Sequence, residues 1–288
     1  MHKVLILGLG YVGNKLKAYL ERHNVTVTAL NQKNSNYACE DTLRKYLSNQ
    51  SFDYVINCCG YTGVPNVDAC ELNKEACWYL NVVTGLMINR VCTELNIKHI
   101  FVSSGCIYTG YTKDFTEEDV PNFGLYNKES SFYSKSKHAL ETVFNFSNSA
   151  ILRIRMPFDG ELENKNYLYK IYKYSSLISY DNSLTFLPDL CRFILNFMDN
   201  SKFKPGIYNI VNTERFNAMQ IVEIFKKYNC INPNWQFVNM SDLDIVAGRS
   251  NCVLSTRKIQ EMNLELLNTS RAVETAIQLL ALKINDTV

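Results

Sequence analysis

Short apolar runs alternate with longer segments of helical period along the first half of the chain. The apolar runs are rich in β-branched residues and have the length of buried strands; they cover residues 3–7, 25–30, 54–58, 99–104 and 150–155. The segments of helical period predict helices over residues 13–23, 41–49, 74–95 and 132–146, with a loop from about 105 to 131. Strands that alternate with helices form parallel sheets covered on both faces. The pattern therefore predicts an α/β fold with a Rossmann-type, doubly wound parallel sheet.

This alternation fades after residue 157. The following segment is rich in Tyr and Lys at helical spacing, contains one further strand at 207–211, and ends in two or three helices. We therefore predict a main domain over residues 1–157 and, over residues 158–288, a smaller C-terminal substrate-binding domain that covers the strand ends. The two are expected to interleave around residues 185–215.

Composition describes a globular protein and excludes several partners. Of the 288 residues 47% are hydrophobic and 20% charged, and the net charge of +2 gives no reason to expect nucleic acid or a membrane surface as a partner. The apolar start is too short for a signal peptide or a membrane span, so we expect a cytoplasmic protein. The ten cysteines are scattered, without CxxC pairs or zinc-finger histidine spacing, so we expect reduced thiols and no metal site.

The first predicted strand runs directly into GLGYVG, residues 8–13. This GxGxxG pattern lies between a strand and a helix, which is the context of a dinucleotide-binding turn. Gly8 permits the tight turn, Gly10 lets the backbone approach a pyrophosphate, and Gly13 lets the helix pack close to the strand. We therefore predict that residues 1–157 bind a dinucleotide, with Tyr11 and Val12 also in contact with it.

The residues after the second strand favour NADPH over NADH. NAD enzymes usually place an acidic residue there to bind the adenosine ribose, whereas this chain has Asn31, Gln32 and Lys33. No carboxylate would repel a 2′-phosphate at this position, and Lys33 would attract one. We predict NADPH as the cofactor, with Asn31 and Lys33 near its ribose.

A candidate reducing site follows the strand at 99–104. Tyr133 and Lys137 form a YxxxK pattern on the next predicted helix, and Ser104 ends the preceding strand. Residues four apart lie on one helix face, so the Lys137 ammonium is expected to lower the pKa of the Tyr133 phenol. Such a phenol can give a proton to a carbonyl oxygen as hydride reaches the carbon. The three residues predict a carbonyl reductase.

These motifs carry a family resemblance. The order of GxGxxG, the NCCG turn at 57–60, Ser104 and YxxxK resembles extended short-chain dehydrogenase/reductases that act on nucleotide sugars, and TGVPNVDACE at 62–71 is similar to the dTDP-4-dehydrorhamnose reductase branch. SSGCIY, TEEDVPNF, SFYSKSK, LRIRMP and GRSN resemble more closely the bifunctional UDP-4-keto-6-deoxyglucose 3,5-epimerase/4-reductases of plants and giant viruses. The plant enzymes have threonine at Ser104 and proline at Gly248, and neither change removes a needed functional group.

The resemblance implies synthesis of UDP-L-rhamnose from a UDP-4-keto sugar. A 4-keto group acidifies the protons at C3 and C5, so both epimerisations pass through an enolate whose oxygen Ser104 and Tyr133 would stabilise before the ketone is reduced. Epimerisation also needs proton-transferring side chains. Cys106, on the same strand end, is the first candidate, and Lys170 matches a lysine of the plant enzymes; which acts as acid and which as base stays open.

The resemblance also implies further ligand contacts. For the cofactor these are Cys59, Gly60, Tyr61, Met156 and Pro157. For the substrate they are Thr62, Gly63, Asn81, Arg249 and Asn251, in addition to Ser104 and Cys106. Arg249 and Asn251 are expected to contact the diphosphate and the ribose or uracil, because an arginine fork matches phosphate oxygens.

Two other functions stay open. One is a monofunctional dTDP-4-dehydrorhamnose reductase that receives an epimerised sugar, and the other is a non-catalytic NADP-binding regulatory subunit, against which the intact Tyr133 and Lys137 argue. UDP and dTDP differ in the base by a single methyl group, so the nucleotide is not settled by sequence. By analogy we expect a homodimer.

Overall fold

The computed structural model describes residues 2–32, 35–64, 66–199 and 201–286. The strands are β1 (Lys3–Leu7), β2 (Thr26–Leu30), β3 (Tyr54–Asn57), β4 (Lys98–Ser104), β5 (Gly110–Phe115), β6 (Ser149–Ile154), β7 (Pro157–Phe158), β8 (Ser176–Leu177), β9 (Thr185–Phe186), β10 (Gly206–Asn209), β11 (Gln236–Phe237) and β12 (Cys252–Leu254). The helices are α1 (Tyr11–Arg22), α2 (Glu40–Ser48), α3 (Ala69–Leu72), α4 (Lys74–Trp78), α5 (Thr84–Glu94), α6 (Phe132–Thr142), α7 (Tyr167–Lys173), α8 (Leu187–Phe197), α9 (Ala218–Lys227), α10 (Arg257–Glu261) and α11 (Thr269–Asn285).

Six strands form one parallel sheet in the order β10-β6-β4-β3-β1-β2. The predicted parallel α/β sheet is confirmed, and its strands lie within two residues of the predicted bounds. The order reverses between β1 and β3, because the helices that follow them, α1 and α5, pack on opposite faces of the sheet. In open α/β sheets, ligands bind at this switch point, beyond the carboxyl ends of the strands.

The two faces of the sheet are buried by different helices. Val4 and Ile6 of β1 face one way and pack into a cluster with residues of α1 and α8. Leu5 and Leu7, which alternate with them, pack against α2 and α5 on the other face. Because successive side chains of a strand point to opposite faces, an uninterrupted apolar run is what a strand buried on both sides requires.

The C-terminal part forms a second apolar cluster that contains residues of α7, α9 and α11. This part of the chain also contributes to the main sheet, since its strand β10 pairs with β6 at the sheet edge. The predicted division of the chain at residue 157, with interleaving around residues 185–215, stays a prediction.

Three local predictions were wrong. The helix predicted over 74–95 is divided by a π-helical turn, Tyr79–Val83, between α4 and α5. The helix predicted to reach residue 146 ends at Thr142, where the chain turns so that the Asn145 amide donates to the Asn89 side chain at 2.9 Å. Within the predicted loop, β5 pairs with β12, a contact too distant in sequence to leave a local pattern.

A buried ion pair ties α6 to β6. The guanidinium of Arg153 donates to the Glu141 carboxylate at 2.7 Å, and both side chains are less than 5% exposed. Glu141 also accepts from the Ser103 hydroxyl at 3.2 Å, so the pair joins α6 to β4 as well. None of the helices in the described ranges is long and apolar enough to cross a membrane.

Removing one partner of this pair should strongly destabilise the fold, because the other charge would stay buried and unpaired. We expect Arg153→Met to lower the free energy of unfolding by about 3–5 kcal/mol, measured by urea denaturation. The double variant Arg153→Met/Glu141→Leu should recover much of this loss. Arg257→Met, which breaks the exposed pair with Glu261, is the control and should change stability far less. An equal loss in both single variants would contradict the role given to the buried pair.

Candidate active site

The predicted reducing residues meet at the carboxyl edge of the sheet. Ser104 is the last residue of β4, and Tyr133 and Lys137 lie on α6. The helix begins after Ser131, whose hydroxyl accepts from the Ser134 amide at 3.0 Å and so fixes the first turn, which carries Tyr133. The Lys137 Nζ lies 5.7 Å from the centre of the Tyr133 ring and 5.1 Å from that of Phe101. The YxxxK pair therefore shares one helix face, as predicted.

Burial dominates the electrostatics of this pair. It lowers the pKa of the Lys137 ammonium to about 8. It also raises the pKa of the Tyr133 phenol, and the charge of Cys106 raises it further, while a hydrogen bond with Ser104 acts in the opposite direction. The lowered phenol pKa expected from Lys137 is therefore wrong for this structure, because burial disfavours the charged phenolate, and Tyr133 is a protonated donor.

Cys106 lies in the same site. Its backbone amide donates to the Ser104 hydroxyl at 3.2 Å, and the residue is half-buried. The Nη1 atom of Arg155 lies 3.6 Å from its sulfur. Serine, tyrosine and thiol are thus brought together around one position, which is the arrangement expected for enolate chemistry at a ketone.

Asn81 links the loop after β3 to helix α6 through hydrogen bonds. Its side chain accepts from the Tyr61 amide at 2.8 Å and donates to the Tyr61 carbonyl and the Ser136 hydroxyl, both at 3.0 Å. It is completely buried. Asn81 therefore positions α6 and the loop after β3, and the substrate contact predicted for it stays a prediction. The π-helical turn that carries it, a feature common at functional sites, aims the amide at these partners.

The glycine-rich turn has the shape that a dinucleotide requires. Gly8 has a φ of +92°, and a Cβ at Gly13 would lie 2.0 Å from the Gly8 carbonyl oxygen, so neither position accommodates a side chain without distortion. Beside Gly10 there is open space, with no atom within 4 Å of a Cβ placed there. α1 begins at Tyr11 without an acidic residue in its first turn, which leaves the amide end of the helix favourable to a pyrophosphate.

Two of the other predicted cofactor residues, Tyr11 and Val12, belong to this turn. Tyr11 donates its hydroxyl proton to Asp159 at 2.9 Å, and Val12 packs against the core. Asn31 directly follows β2, and Lys33 lies outside the described residues. The NADPH contacts of these four residues stay predictions.

The loop after β3 borders the reducing pair. A Cβ at Gly60 would lie 3.3 Å from the Lys137 Nζ, so the backbone of this loop passes directly over the ammonium. The Cys59 thiol donates to the hydroxyl of Tyr37, a buried residue that the sequence reasoning missed, at 3.2 Å.

Met156 and Pro157 follow β6 at the same edge. Met156 has a φ of +40°, in the left-handed region that residues other than glycine rarely adopt. A residue before proline is normally extended, so this conformation is strained by about 1–3 kcal/mol. Strain of this kind collects at ligand sites, which agrees with the predicted position beside the nicotinamide.

The predicted substrate loop is tied to the C-terminal part by Lys165. This side chain donates to the Thr62 hydroxyl at 3.1 Å and to the Gly63 carbonyl at 2.7 Å. Lys170 lies on α7, and burial, followed by the charge of Lys165, lowers its pKa. A lowered pKa suits proton transfer, but the structure shows Lys170 near Lys165 rather than in contact with Cys106, and its pairing with the thiol stays a prediction.

Arg249 is bound to a carboxylate. Its two terminal nitrogens donate to the two oxygens of Asp68 at 2.8 and 2.9 Å, and this bond holds the pKa of Asp68 below its usual range. The Arg249 guanidinium, which was predicted to bind the diphosphate, therefore binds Asp68 in this structure. Asn251 accepts from the Asn182 side chain at 3.0 Å. For both residues the nucleotide contact stays a prediction.

The sequence reasoning assigned no role to Arg155, although a signal was present. The strand at 150–155 contains two arginines in an otherwise apolar run, and a charge in a buried strand needs a partner. Lys165 gave no such signal. Within the described ranges, no group of three or more His, Cys, Asp or Glu side chains is placed to hold a metal ion.

Comparison with known proteins places these features in a family. The model of the RmlD substrate binding domain matches residues 1–282. A bifunctional dTDP-4-dehydrorhamnose 3,5-epimerase/dTDP-4-dehydrorhamnose reductase of Arabidopsis thaliana is 30% identical over 281 residues, 92% of this chain and 88% of the relative. A trifunctional UDP-glucose 4,6-dehydratase/UDP-4-keto-6-deoxy-D-glucose 3,5-epimerase/UDP-4-keto-L-rhamnose-reductase of the same plant is 33% identical over 233 residues, which span 76% of this chain and only 34% of that protein.

Solved structures agree on the fold. The UDP-rhamnose synthase of Acanthamoeba polyphaga mimivirus superimposes with a TM-score of 0.88 at 24% identity and covers 96% of this chain and 99% of its own. A dTDP-4-dehydrorhamnose reductase of Bacillus anthracis, solved with NADP, gives 0.81 at 17% identity and covers 95% and 97%. With a family model that spans almost the whole sequence, the chain belongs to the RmlD substrate-binding-domain family, and the predicted membership in the dTDP-4-dehydrorhamnose reductase-like group of nucleotide-sugar oxidoreductases is confirmed.

Proposed function

We propose that this oxidoreductase converts UDP-4-keto-6-deoxyglucose into UDP-L-rhamnose, by epimerisation at C3 and C5 and then reduction of C4 with NADPH. The observation that carries the proposal is the thiol of Cys106 beside Ser104 and Tyr133, with its sulfur 3.6 Å from the Arg155 guanidinium. A reductase needs the serine, tyrosine and lysine. A thiol at the same position adds a group that can move a proton at carbon.

The names of the relatives support this reaction and leave the nucleotide open. The Arabidopsis bifunctional protein is named for dTDP sugars, whereas the mimivirus protein is named for UDP-rhamnose. We choose UDP because the motifs around SSGCIY and GRSN resemble the UDP-sugar enzymes. A monofunctional reductase that acts on an epimerised sugar is the second candidate. The homodimer and the cytoplasmic location stay predictions.

The proposed cofactor fits the residues at the switch point. The open space at Gly10 and the amide end of α1 would receive the pyrophosphate, and Gly60, Lys137 and Met156 would border the nicotinamide. When bound, NADPH supplies the hydride for C4. Tyr133 gives its proton to the C4 oxygen, and the Lys137 ammonium stabilises the phenolate that this transfer leaves behind.

The same residues serve the epimerisations. Removal of a proton from C3 or C5 sends the electron pair of that bond towards the C4 oxygen, where the hydroxyls of Ser104 and Tyr133 donate to the developing charge. A proton delivered to the opposite face of the carbon completes the inversion, and Cys106 and Lys170 are the proposed proton-transferring groups. Epimerisation precedes reduction, because the neighbouring C–H bonds lose their acidity once C4 is an alcohol.

Exchange with solvent tests the epimerase directly. With UDP-4-keto-6-deoxyglucose and NADP⁺ in D₂O, but without NADPH, we expect deuterium to enter C3 and C5, as followed by NMR and mass spectrometry. The dTDP sugar, assayed in parallel, decides the nucleotide. Absence of exchange with both sugars would leave only the reductase.

The two activities should separate by mutation. Cys106→Ala is expected to abolish exchange and to retain reduction of a pre-epimerised 4-keto-L-rhamnose nucleotide. Tyr133→Phe should slow NADPH oxidation by about 100-fold or more, since it removes the proton donor. Cys252→Ala, at another cysteine near Arg155, and Tyr126→Phe, at an exposed tyrosine, are the matched controls. Equal loss of exchange and reduction in Cys106→Ala would make the thiol structural.

Reduction should also depend on pH through Lys137. Its pKa is lowered to about 8 by burial, so the ammonium is present below that pH and is lost above it. We expect kcat for reduction of the pre-epimerised sugar to fall as the pH rises through about 8. In Lys137→Arg the positive charge persists to much higher pH, so the decrease in kcat near pH 8 should disappear, even if kcat itself is lower. The same fall in both proteins would exclude Lys137 as its cause.

A further inference from the structure

Arg155 is a fully buried guanidinium bound mainly to neutral groups. Nη1 donates to the Gly105 carbonyl at 3.2 Å and to the Ser250 hydroxyl at 2.8 Å, and Nη2 donates to the Ser250 carbonyl at 3.1 Å and to the side-chain oxygen of Asn182. The side chain is 1% exposed, and its Nε has no hydrogen-bond partner. These contacts hold the guanidinium in place without balancing its charge.

Arg153, two residues earlier, is a buried arginine whose charge is neutralised by a carboxylate. It is equally buried and is bound by the carboxylate of Glu141. Within the part of the chain that the structure describes, Arg155 forms no such pair with a carboxylate, and its Nη1 also lies 3.6 Å from the sulfur of Cys106. A buried charge without a counter-ion costs several kcal/mol, so an anion beside Arg155 would be strongly stabilised.

The groups whose charge acts on Arg155 are thiols and phenols: Cys252, Cys106, Tyr167 and Tyr111, in that order of strength. Three of them are held neutral by burial, which raises the pKa of Cys252 and of Tyr111 and raises that of Tyr167 to about 12. Cys106 differs from Cys252 because it is only half-buried, whereas Cys252 is fully buried. It is therefore the group best placed to carry the negative charge.

We infer that Arg155 is a positioning residue that holds Cys106 as a thiolate, the counter-ion of the buried guanidinium and the base of the epimerase. The inference rests on the proposed function and deepens it. The thiolate takes the proton from C3 or C5, the electron pair of that C–H bond moves to the C4 oxygen, and a proton from the opposite face completes the inversion. Cys106 then releases its proton to solvent and returns to the thiolate beside Arg155.

The other groups that face Cys106 set its response to pH. Tyr133 and Lys137 approach from α6, and Cys252 from β12. Burial keeps the phenol and the second thiol protonated, so neither adds negative charge beside Cys106 near neutral pH. Lys137 adds positive charge below its pKa of about 8 and acts in the same direction as Arg155.

Alkylation of Cys106 by iodoacetamide tests the inference without substrate. The thiolate is the reactive form, so the rate at Cys106, resolved by peptide mass spectrometry, reports its charge. At about pH 7 we expect Arg155→Gln to slow this alkylation by about tenfold and to make its pH dependence steeper, while Arg155→Lys retains most of the wild-type rate. Ser250→Ala removes a neutral partner of Arg155 and keeps the charge, so it should leave the rate nearly unchanged.

Two results would overturn the inference: equal rates in wild type and Arg155→Gln, or an equal loss in Ser250→Ala, which would make the effect one of packing. If Arg155→Gln does not fold, the wild type decides, because native Cys106 must react at least as fast at about pH 7 as in urea-unfolded protein. If Arg155→Gln slows the alkylation of Cys106 but the wild type shows no D₂O exchange, the thiolate is supported and the epimerase is contradicted. If exchange occurs but Arg155→Gln leaves the alkylation rate unchanged, the epimerase is supported and the role of Arg155 is contradicted.

Discussion

The parallel pairing of β4 with β6 is the constraint on which the site depends. Its register sets Ser104 opposite Ile154, and the Gly105 amide donates to the Ile154 carbonyl at 3.0 Å, so the two chains leave the sheet side by side. The next residue on one chain is Cys106 and on the other Arg155. Their contact therefore follows from strand register, and a shift of either strand by one residue would turn its side chain to the other face and break the contact.

The distribution of buried charge distinguishes this edge from other parts of the sheet. Two buried carboxylates elsewhere are paired with cations: Glu141 binds Arg153, and Asp159 binds Lys15 at 3.0 Å. At the site, Lys137 and Arg155 are buried among thiols, hydroxyls and carbonyls. An excess of positive charge in a desolvated pocket stabilises each anion that the proposed reactions generate, namely a phenolate, an enolate and a thiolate.

The sequence predicted the sheet and the reducing residues because both depend on local patterns. Short apolar runs that alternate with segments of helical period indicate strands, and GxGxxG, Ser104 and YxxxK each occupy a short continuous stretch of sequence. The contacts that were missed join residues far apart in the chain. Arg249 meets Asp68, and Arg155 meets Ser250, through pairings that neither segment predicts alone. The break in the helix over 74–95 arises in the same way, since Asn81 there binds the distant Ser136.

One carboxylate connects the cofactor turn to the helix of the second proposed proton-transfer group. Asp159 accepts from the hydroxyl of Tyr11 in the glycine-rich turn, and both its backbone and its side chain accept from Asn166, which caps α7 by accepting from the Leu168 amide at 3.1 Å. The placement of Lys170 on α7 thus depends on the same buried side chain that fixes Tyr11. Asp159 is only 4% exposed, so these hydrogen bonds lie in a closely packed interior. The cofactor turn and the helix that carries Lys170 are therefore joined through one buried side chain, although the residues come from the two halves of the chain.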